Sequence, residues 1–162
     1  MASSTKSIVK SSYASSWNVQ VGEVIFDYTK VGDMSSVDYH LIGQVKVPAN
    51  SYILDVQVHG VSLWVSGAGA SLIVGDGDDD NGFHLSTDLK ATALLAGEAN
   101  TMEHPGGLAG VYTALQQRVF YSSSARTVIA DITMTANATA ASAGETRVLV
   151  MYCCSPTDSV KP

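Results

Sequence analysis

A long stretch of alternating apolar and polar residues, Ser51–Ser66, constrains this chain more than any other feature. Side chains on a strand point alternately to opposite faces, so a period of two predicts a half-buried β-strand. The apolar series shifts by one residue after Gly60. This shift predicts either a glycine β-bulge that keeps both apolar sets facing the core or a break between two strands. The first set is Leu54, Val56 and Val58, and the second is Val61, Leu63 and Val65.

Further strand patterns follow along the chain, separated by turn residues. Pro48 ends one of them, because proline cannot donate to a sheet ladder. The stretch Thr87–Ala96 instead predicts a helical turn or two, with Ser86 or Thr87 as the N-cap. About seven or eight strands with such turns predict an all-β fold, a jelly-roll-like β-sandwich with one short helix and an extended N-terminal arm. The strands are predicted at Val19–Thr29, Val37–Val47, Ser51–Ser66, Ser71–Val74, Arg118–Ser122, Thr127–Thr135 and Thr146–Cys154.

The last predicted strand is apolar on both of its faces. Val148, Val150 and Tyr152 share one face, and Leu149 and Met151 share the other. A strand of this kind is expected to be covered on both sides. Charged residues make up only 15% of the chain, and such a chain can leave apolar surface for a partner to cover. We therefore expect the second face to pack against a neighbouring subunit.

The chain divides into three parts by composition. Met1–Asn18 is Ser-rich and without periodicity, residues 19–154 carry the strand patterns of one β-sandwich domain, and residues 155–162 form a polar C-terminal tail. The first part is predicted to be either a frayed terminus or an arm that lies on a neighbouring subunit. Tyr13 and Trp17 are the predicted partner-binding residues of that arm, because aromatic side chains dominate the energy of such contacts.

The charge and hydropathy of the chain argue against several classes of partner and location. The net charge is −6, with 9 basic and 15 acidic residues among 162. The basic residues are dispersed, so the phosphate contacts of a nucleic-acid-binding protein are not predicted. No run of about 18 apolar residues occurs, so no membrane-spanning segment is predicted. The first residues lack the apolar stretch of a secretory signal, and we expect synthesis and use without Sec export.

An Asp-rich loop after the fourth predicted strand is the strongest candidate for a metal site. Asp76, Asp78 and Asp80 alternate there, as the first ligands of a calcium loop do. An EF-hand also needs Gly at its sixth position and Glu at its twelfth. Asn81 and Thr87 occupy those positions, so the motif fails. The loop is predicted to be a solvated hairpin turn, with an adventitious calcium site as the alternative, because clustered carboxylates repel unless their charge is offset.

No constellation of residues predicts an active site. The histidines lack the paired spacing of a zinc site, and no G-x-S-x-G elbow occurs. His59 on a polar strand face and His84 in a loop are predicted to be surface residues. Cys153 and Cys154 are predicted to be two free thiols in a reducing compartment, because a vicinal disulfide is strained. We expect no enzymatic activity, no catalytic residue, no metal and no cofactor. The histidines are His40, His59, His84 and His104.

Three segments follow one another in a recognisable order: VKVPANSYILDVQVHGVSLW, then SLIVGDGDDDNGFHLSTDLKA, then TVIADITMTANATAASAGETRVLVMY. A strand follows a Pro-containing turn, and a short apolar strand enters a Gly/Asp loop. An aromatic residue, Phe83, precedes a short helical turn, and two strands joined by an Ala/Thr/Gly loop end near Tyr152. Over Val45–Tyr152 this succession resembles the capsid decoration (cement) proteins of tailed bacteriophages.

The resemblance implies a viral structural protein on the capsid exterior of the virion, made in the cytoplasm of a bacterial host. It implies a jelly-roll-like domain that forms a homotrimer or homodimer, binds the major capsid protein on the outer surface of an icosahedral shell and cements neighbouring capsomers. Residues before Val45 lie outside the resemblance and are expected to set which capsid surface is bound. Similar sandwiches also serve as phage tail or fibre components and as carbohydrate- or receptor-binding modules, which stay as alternatives. An enzyme of unknown type is a more distant alternative.

Overall fold

The chain folds into two antiparallel β-sheets. The computed structural model describes residues 19–31, 39–65, 69–91, 100–101, 110–114, 120–135 and 141–154. A 3₁₀ turn at Tyr28–Lys30 follows the first strand. No helix among the described residues has the length and hydropathy needed to cross a membrane. The elements are β1 (Val19–Asp27), β2 (Tyr39–Val47), β3 (Ser51–Val65), β4 (Ala70–Gly75), β5 (His84–Asp88), β6 (Asn100–Thr101), α1 (Val111–Ala114), β7 (Phe120–Ser122), β8 (Arg126–Met134) and β9 (Ala143–Cys154).

The order of the strands is that of a jelly roll. One sheet has five strands in the order β1-β9-β3-β6, with β7 pairing along the start of β3, and the other has four strands in the order β2-β8-β4-β5. The pairs β1–β9, β2–β8, β3–β6 and β4–β5 are all antiparallel. The chain is thus rolled up from both ends into two facing sheets. The predicted all-β sandwich is confirmed.

Alternating side chains of both sheets fill the space between them. The predicted alternation of β8 is confirmed from Thr127 onward, because the even-numbered residues there are buried and the odd-numbered residues are half-buried on the other face. The same holds for β9, where Val148 and Val150 are buried and Leu149 and Met151 point outward. Fully burying a side chain of this size contributes roughly 1.5–3 kcal/mol. The core therefore rests on the period-two pattern that the sequence carries.

Trp64 occupies the end of the core and is 1% exposed. Its indole Nε1 donates a hydrogen bond to Thr146 Oγ1 at 2.8 Å, so the buried polar atom is satisfied. Gly144 lies against the ring with φ of +145°, and a Cβ at that position would come within 2.5 Å of Trp64 Cδ2. Glycine is required there both for its backbone angle and for the space.

The long strand β3 decides between the two interpretations of the shift at Gly60. It runs unbroken from Ser51 to Val65, and its pairing with β9 shifts register between Gly60 and Ser62. The predicted bulge is therefore confirmed. The predicted second apolar set is wrong, because Val61 and Val65 are 48% and 53% exposed while Trp64 is buried. A further shift in register, between Ser62 and Val65, turns the Trp64 side chain towards the core. The indole buries more apolar area there than a valine would.

A second shift, between Ile53 and Asp55, changes the first apolar set as well. Ile53 is 1% exposed and joins Val56 and Val58 in the core, whereas Leu54 is only half-buried. The period-two pattern assigned Leu54 to the core face because no glycine marks this irregularity. A bulge at a bulky residue leaves no compositional signal.

The predicted helical stretch Thr87–Ala96 is wrong at its start. Ser86 and Thr87, the predicted N-caps, lie inside β5, where Thr87 pairs with a residue of β4 and is buried. Leu89 then fills the core, and its backbone N donates to the carbonyl of Ala70 at 3.0 Å. Pairing satisfies the backbone of β4, which a helix at this point would leave without hydrogen bonds on that side. Residues 92–96 lie outside the described residues.

The two sheets come close together where β1 faces β2. A Cβ on Gly22 would lie 2.2 Å from Val45 Cγ1, and a Cβ on Gly43 would lie 2.1 Å from Val24 Cγ1. Each valine therefore packs directly on the backbone of the opposite strand, in a space that only glycine leaves. This contact closes the core on the side where the first strands of both sheets lie.

Candidate functional site

The outer face of the five-stranded sheet is apolar over much of its area. On β1, Val19, Val21 and Ile25 point away from the core and are 52%, 57% and 52% exposed. The outward side chains of β9 lie next to them across the strand pair. We name this surface the outer apolar face. Its residues are Val19, Val21, Ile25, Tyr52, Tyr121, Leu149 and Met151.

The strand register places these residues in rows across four strands. Val19 of β1 lies opposite Cys153 of β9, Cys153 lies opposite Tyr52 of β3, and Tyr52 lies opposite Tyr121 of β7. The two tyrosine rings are 4.8 Å apart between centroids, and Tyr121 is 47% exposed. Aromatic side chains give large contact area with a polar end, which suits them to protein interfaces. This row lies where β1 begins and β9 ends.

The outer apolar face becomes charged towards the other end of the sheet. The next row pairs Val21 with Met151, and Met151 with Asp55 of β3. Beyond it, the Arg147 guanidinium lies 3.1 Å from Glu145 and 3.5 Å from Glu23. These groups are exposed to solvent, so they add little to stability. The face therefore has an apolar end beside the chain termini of the domain and a polar end.

The outer face of the four-stranded sheet mixes polar and aliphatic side chains. His40 Nδ1 lies 3.0 Å from an Asp131 carboxylate oxygen, and Thr133 lies beside them. Gln44 and Lys46 extend from the same strand as His40 and are exposed. Ile42, at the edge of this sheet, is 61% exposed. Among the described residues, the two outer faces thus differ in their aromatic side chains: Tyr52 and Tyr121 lie on the five-stranded sheet, whereas the four-stranded sheet carries Ile42, Ile73 and Ile129 among polar residues.

The Asp-rich loop is organised around a buried carboxylate. The Asp76 side chain is 1% exposed. Its Oδ1 accepts hydrogen bonds from the Tyr112 hydroxyl at 2.8 Å and from the backbone N of Asp78 and Asp79 at 3.0 and 3.2 Å. Its Oδ2 accepts from the Arg126 guanidinium. The loop is therefore tied by one carboxylate to α1 and to the start of β8.

These donors outweigh the effect of burial on Asp76. Burial by itself raises the pKa of this carboxyl, but the hydrogen bonds from Arg126, Tyr112 and the two amides hold the pKa below its ordinary value of 3.8. Burial and the neighbouring carboxylate raise the pKa of Tyr112 to about 12. Arg126 also lies 4.6 Å from the centroid of the Phe120 ring, a cation–π contact. The ionised pair Asp76–Arg126 is thus the stable form.

This arrangement changes the interpretation of the loop. The predicted solvated turn is wrong for Asp76, which is buried, although Asp78 and Asp80 are exposed. Both Asp76 oxygens already accept hydrogen bonds from protein groups. Among the described residues, no three His, Cys, Asp or Glu side chains are grouped as metal ligands. The sequence could not reveal the partner, because Arg126 is fifty residues away.

The prediction that His84 lies on the surface is wrong. It is fully buried at the start of β5, and its Nε2 lies 2.7 Å from the Val56 carbonyl oxygen of the other sheet. An Nε2–H tautomer donates this bond, while Nδ1 has no hydrogen-bond partner. Burial lowers the pKa of His84, against the Val56 carbonyl and Asp55, which raise it. The imidazole is therefore neutral.

The two cysteines are free thiols, as predicted. Cys153 is buried, and burial together with Cys154 raises the pKa of its thiol. A thiol of raised pKa is a poor nucleophile and a poor metal ligand. Cys154 is half-buried, and its Sγ accepts a hydrogen bond from Ser51 Oγ at 3.4 Å. Burial therefore makes the Cys153 thiol unreactive.

The predicted partner-binding residues Tyr13 and Trp17 lie outside the described residues, as do His104, the arm Met1–Asn18 and the tail at 155–162. The described strands begin at Val19 and end at Cys154. Sequence reasoning foresaw the outward Leu149 and Met151 but not Val21 and Ile25. The pattern of β1 could have predicted an apolar outer face, because this strand carries apolar residues at odd and at even positions.

No protein-family model matches the chain, and no curated protein is similar to it at a significant level. A comparison with solved structures finds a chain of the acid-stable capsid of the Helicobacter pylori bacteriophage KHP30. The match has 16% sequence identity and a TM-score of 0.45, and it covers 83% of this chain and 93% of the other. At this level of similarity, neither a fold family nor a function is assigned by the match.

Proposed function

We propose that this chain is a viral structural protein that binds the outer surface of an icosahedral phage capsid and cements neighbouring capsomers. The outer apolar face carries this proposal. It exposes aliphatic and aromatic side chains together, among them Val21 and Tyr121, which are 57% and 47% exposed. A contiguous apolar patch rimmed by charged groups marks a protein interface. The major capsid protein is the proposed partner of this face.

The N-terminal arm supplies the second part of the proposed contact. Asn18 directly precedes Val19, so the arm joins the domain at the apolar end of the face. Tyr13 and Trp17 would then anchor to the same shell surface as Val19 and Tyr52. Each contact adds a modest free energy, and linking the two raises the overall affinity because the second contact forms at high effective concentration.

Substitution on the face tests the proposal directly. Met151→Lys places a charge in the middle of the outer apolar face, and Ile73→Lys is the matched control on the outer face of the other sheet, where Ile73 lies opposite Asp131. We expect shells incubated with the Met151→Lys protein to retain roughly a tenth or less of the wild-type amount. The control should bind as wild type. Val21→Lys, at a more exposed position, repeats the test if Met151→Lys fails to fold.

The copy number in purified virus particles provides a separate test. A ratio to the major shell protein within a small factor of one supports the cement role. A handful of copies would instead favour a tail or fibre component, and absence from the particle would contradict the proposal. Deleting Met1–Asn18 should weaken attachment while leaving the domain folded, and an arm-less protein that binds equally well would exclude a role for the arm.

A further inference from the structure

The first strands of both sheets, β1 and β2, are edge strands. Within the described residues, β1 pairs only with β9 and β2 only with β8, each over nine consecutive residue pairs without a bulge. Neither strand contains proline. The far side of each strand therefore presents a regular row of backbone N–H and C=O groups. Long flat edges of this kind are normally blocked in monomeric proteins by proline, bulges or inward charges.

The edge strands β1 and β2 lie at the same side of the sandwich in a defined register, and we name this side the ledge. Gly22 is level with Val45 and Val24 is level with Gly43 across the sandwich, so β1 and β2 run antiparallel to each other in their separate layers. Continuing this register along both strands places Ile25 level with Ile42. The close approach at the glycines leaves no room for a strand to enter between the sheets. A partner strand can only be added alongside β1 or β2.

We propose that two copies of this chain join along this ledge about a two-fold axis parallel to the strands, so that β1 of each copy pairs with β2 of the other. A rotation about such an axis moves no residue along the strand direction. The register within one chain is therefore kept between the copies, and Ile25 of one copy lies opposite Ile42 of the second. These two side chains are 52% and 61% exposed in the single chain.

The same rotation aligns the strands. Facing sheets of a sandwich are inclined to each other by about 30°. A half-turn of the second copy about the strand axis exchanges the positions of its two layers. It also tilts the strands of each layer to the opposite side of that axis. Its β2 then lies in the layer of the first copy's β1, in line with it and antiparallel. Both sheets continue across the interface with the hydrogen-bond pattern of an ordinary antiparallel pair.

The charges of the two strands are complementary in this arrangement. β1 carries Glu23 and Asp27 and no basic residue, whereas β2 carries the positive charge of Lys46, together with His40, which contacts Asp131 of its own chain, and no acidic residue. Asp27 of one copy lies opposite His40 of the second, and Glu23 lies diagonal to Lys46, within reach of its long side chain. A two-fold axis perpendicular to the sheets would instead pair β1 with β1 and set two acidic strands side by side. Charge therefore favours the pairing of unlike strands.

The ledge is close in size to the lower limit of a standard interface. Each copy contributes two strands of nine residues to the contact, against roughly 20–30 residues on each side of a standard interface. In this dimer the two outer apolar faces point to opposite sides. One dimer would therefore engage a shell through the face of one copy, and dimer formation does not depend on the proposed capsid binding.

Charge substitution at the central pair tests the register. We expect the full-length protein to sediment as a dimer across a concentration series in analytical ultracentrifugation. Ile25→Lys and Ile42→Asp should each raise the dissociation constant roughly tenfold or more, because each buries a charge opposite an isoleucine. The double variant places Lys opposite Asp in both strand pairs and should recover most of the affinity. Thermal melts verify that the variants fold.

Several outcomes would overturn the proposal: a monomer at every concentration, a trimer, single variants that dimerise as wild type, or a double variant weakened by the sum of the singles. Met151→Lys should leave the dimer intact, because β9 lies inside its sheet. Met151→Lys and Ile42→Asp, of which the second lies outside the outer apolar face, therefore separate shell binding from dimerisation and show which of the two proposals has failed.

Discussion

Replacing Asp76 by alanine should destabilise the fold more than any other change in its loop. The carboxylate is 1% exposed and is bonded to the Arg126 guanidinium, the Tyr112 hydroxyl and two backbone amides. Alanine removes both acceptor oxygens, so all four donors lose this partner at once. Arg126, whose side chain is 21% exposed, would keep only the exposed carboxylate of Asp78, 3.5 Å away, as a counter-charge.

The size of the effect follows from these contacts. Removing one partner of a buried ion pair costs about 3–5 kcal/mol. Arg126 can be partly rehydrated, so the lower end of that range applies, and we expect a loss of about 3 kcal/mol in the free energy of unfolding. Asp76→Asn keeps an oxygen acceptor for the loop amides but loses the charge, and should cost about half as much. Asp80→Ala, at an exposed position in the same loop, should change stability by less than about 0.5 kcal/mol.

Urea unfolding monitored by tryptophan fluorescence measures these differences, because Trp64 is buried in the core. The slope with denaturant should be unchanged, so the shift in midpoint reports stability. The reasoning is refuted if Asp76→Ala unfolds at the same midpoint as Asp80→Ala. Since the pKa of Asp76 is lowered in the fold, its contribution is present above the unfolded-state value of 3.8 and is lost as the pH falls through the folded-state pKa. Asp76→Ala should lack that acid-dependent loss.

Three further changes test the packing between the sheets. Gly43→Ala should cost about 1–3 kcal/mol in thermal unfolding through overpacking, while Gly77→Ala, with nothing within 4 Å of the added Cβ, should be nearly neutral. His84 has a lowered pKa, so wild-type stability should fall below pH 6.5 by up to about 1.4 kcal/mol per pH unit, a slope that His84→Leu should abolish. Thr146→Val should cost about 1–3 kcal/mol by leaving the Trp64 indole N–H unpaired; an unchanged melting temperature would contradict this.

Local sequence patterns predicted a strand correctly where its neighbouring strands in the sheet are regular and alternate in the same way. The alternation in β8 identified its buried residues because both of its neighbours in the sheet are regular strands. The doubly apolar pattern of β9 likewise predicted an uncovered apolar surface. The stretch at Thr87 was misjudged, because a short segment of Leu and Ala residues has a helical composition that pairing with β4 overrides. Helix propensity is weak compared with the burial and hydrogen bonding that a sheet partner supplies.

The residues of the outer apolar face and of the core could be predicted only in part, because local patterns do not report long-range packing. Leu149 and Met151 could be assigned to an outer face from their spacing, since alternation is a local property. Ile53, Trp64 and His84 were misplaced or missed, because their burial depends on bulges and on the facing sheet. A shift of one residue moves a side chain from one face to the other, and no local pattern reports it.

The sequence by itself determined that this chain is an all-β sandwich with a surplus of apolar surface, because a period of two and frequent turn residues specify strands wherever they lie. Only the tertiary structure decided which residues meet across long separations. It brought Asp76 to Arg126, set Trp64 on Gly144, and stacked β1 on β2 with Ile25 level with Ile42. Such contacts depend on strand order and register, which are fixed by the packing of the whole core and not by neighbouring residues in the chain.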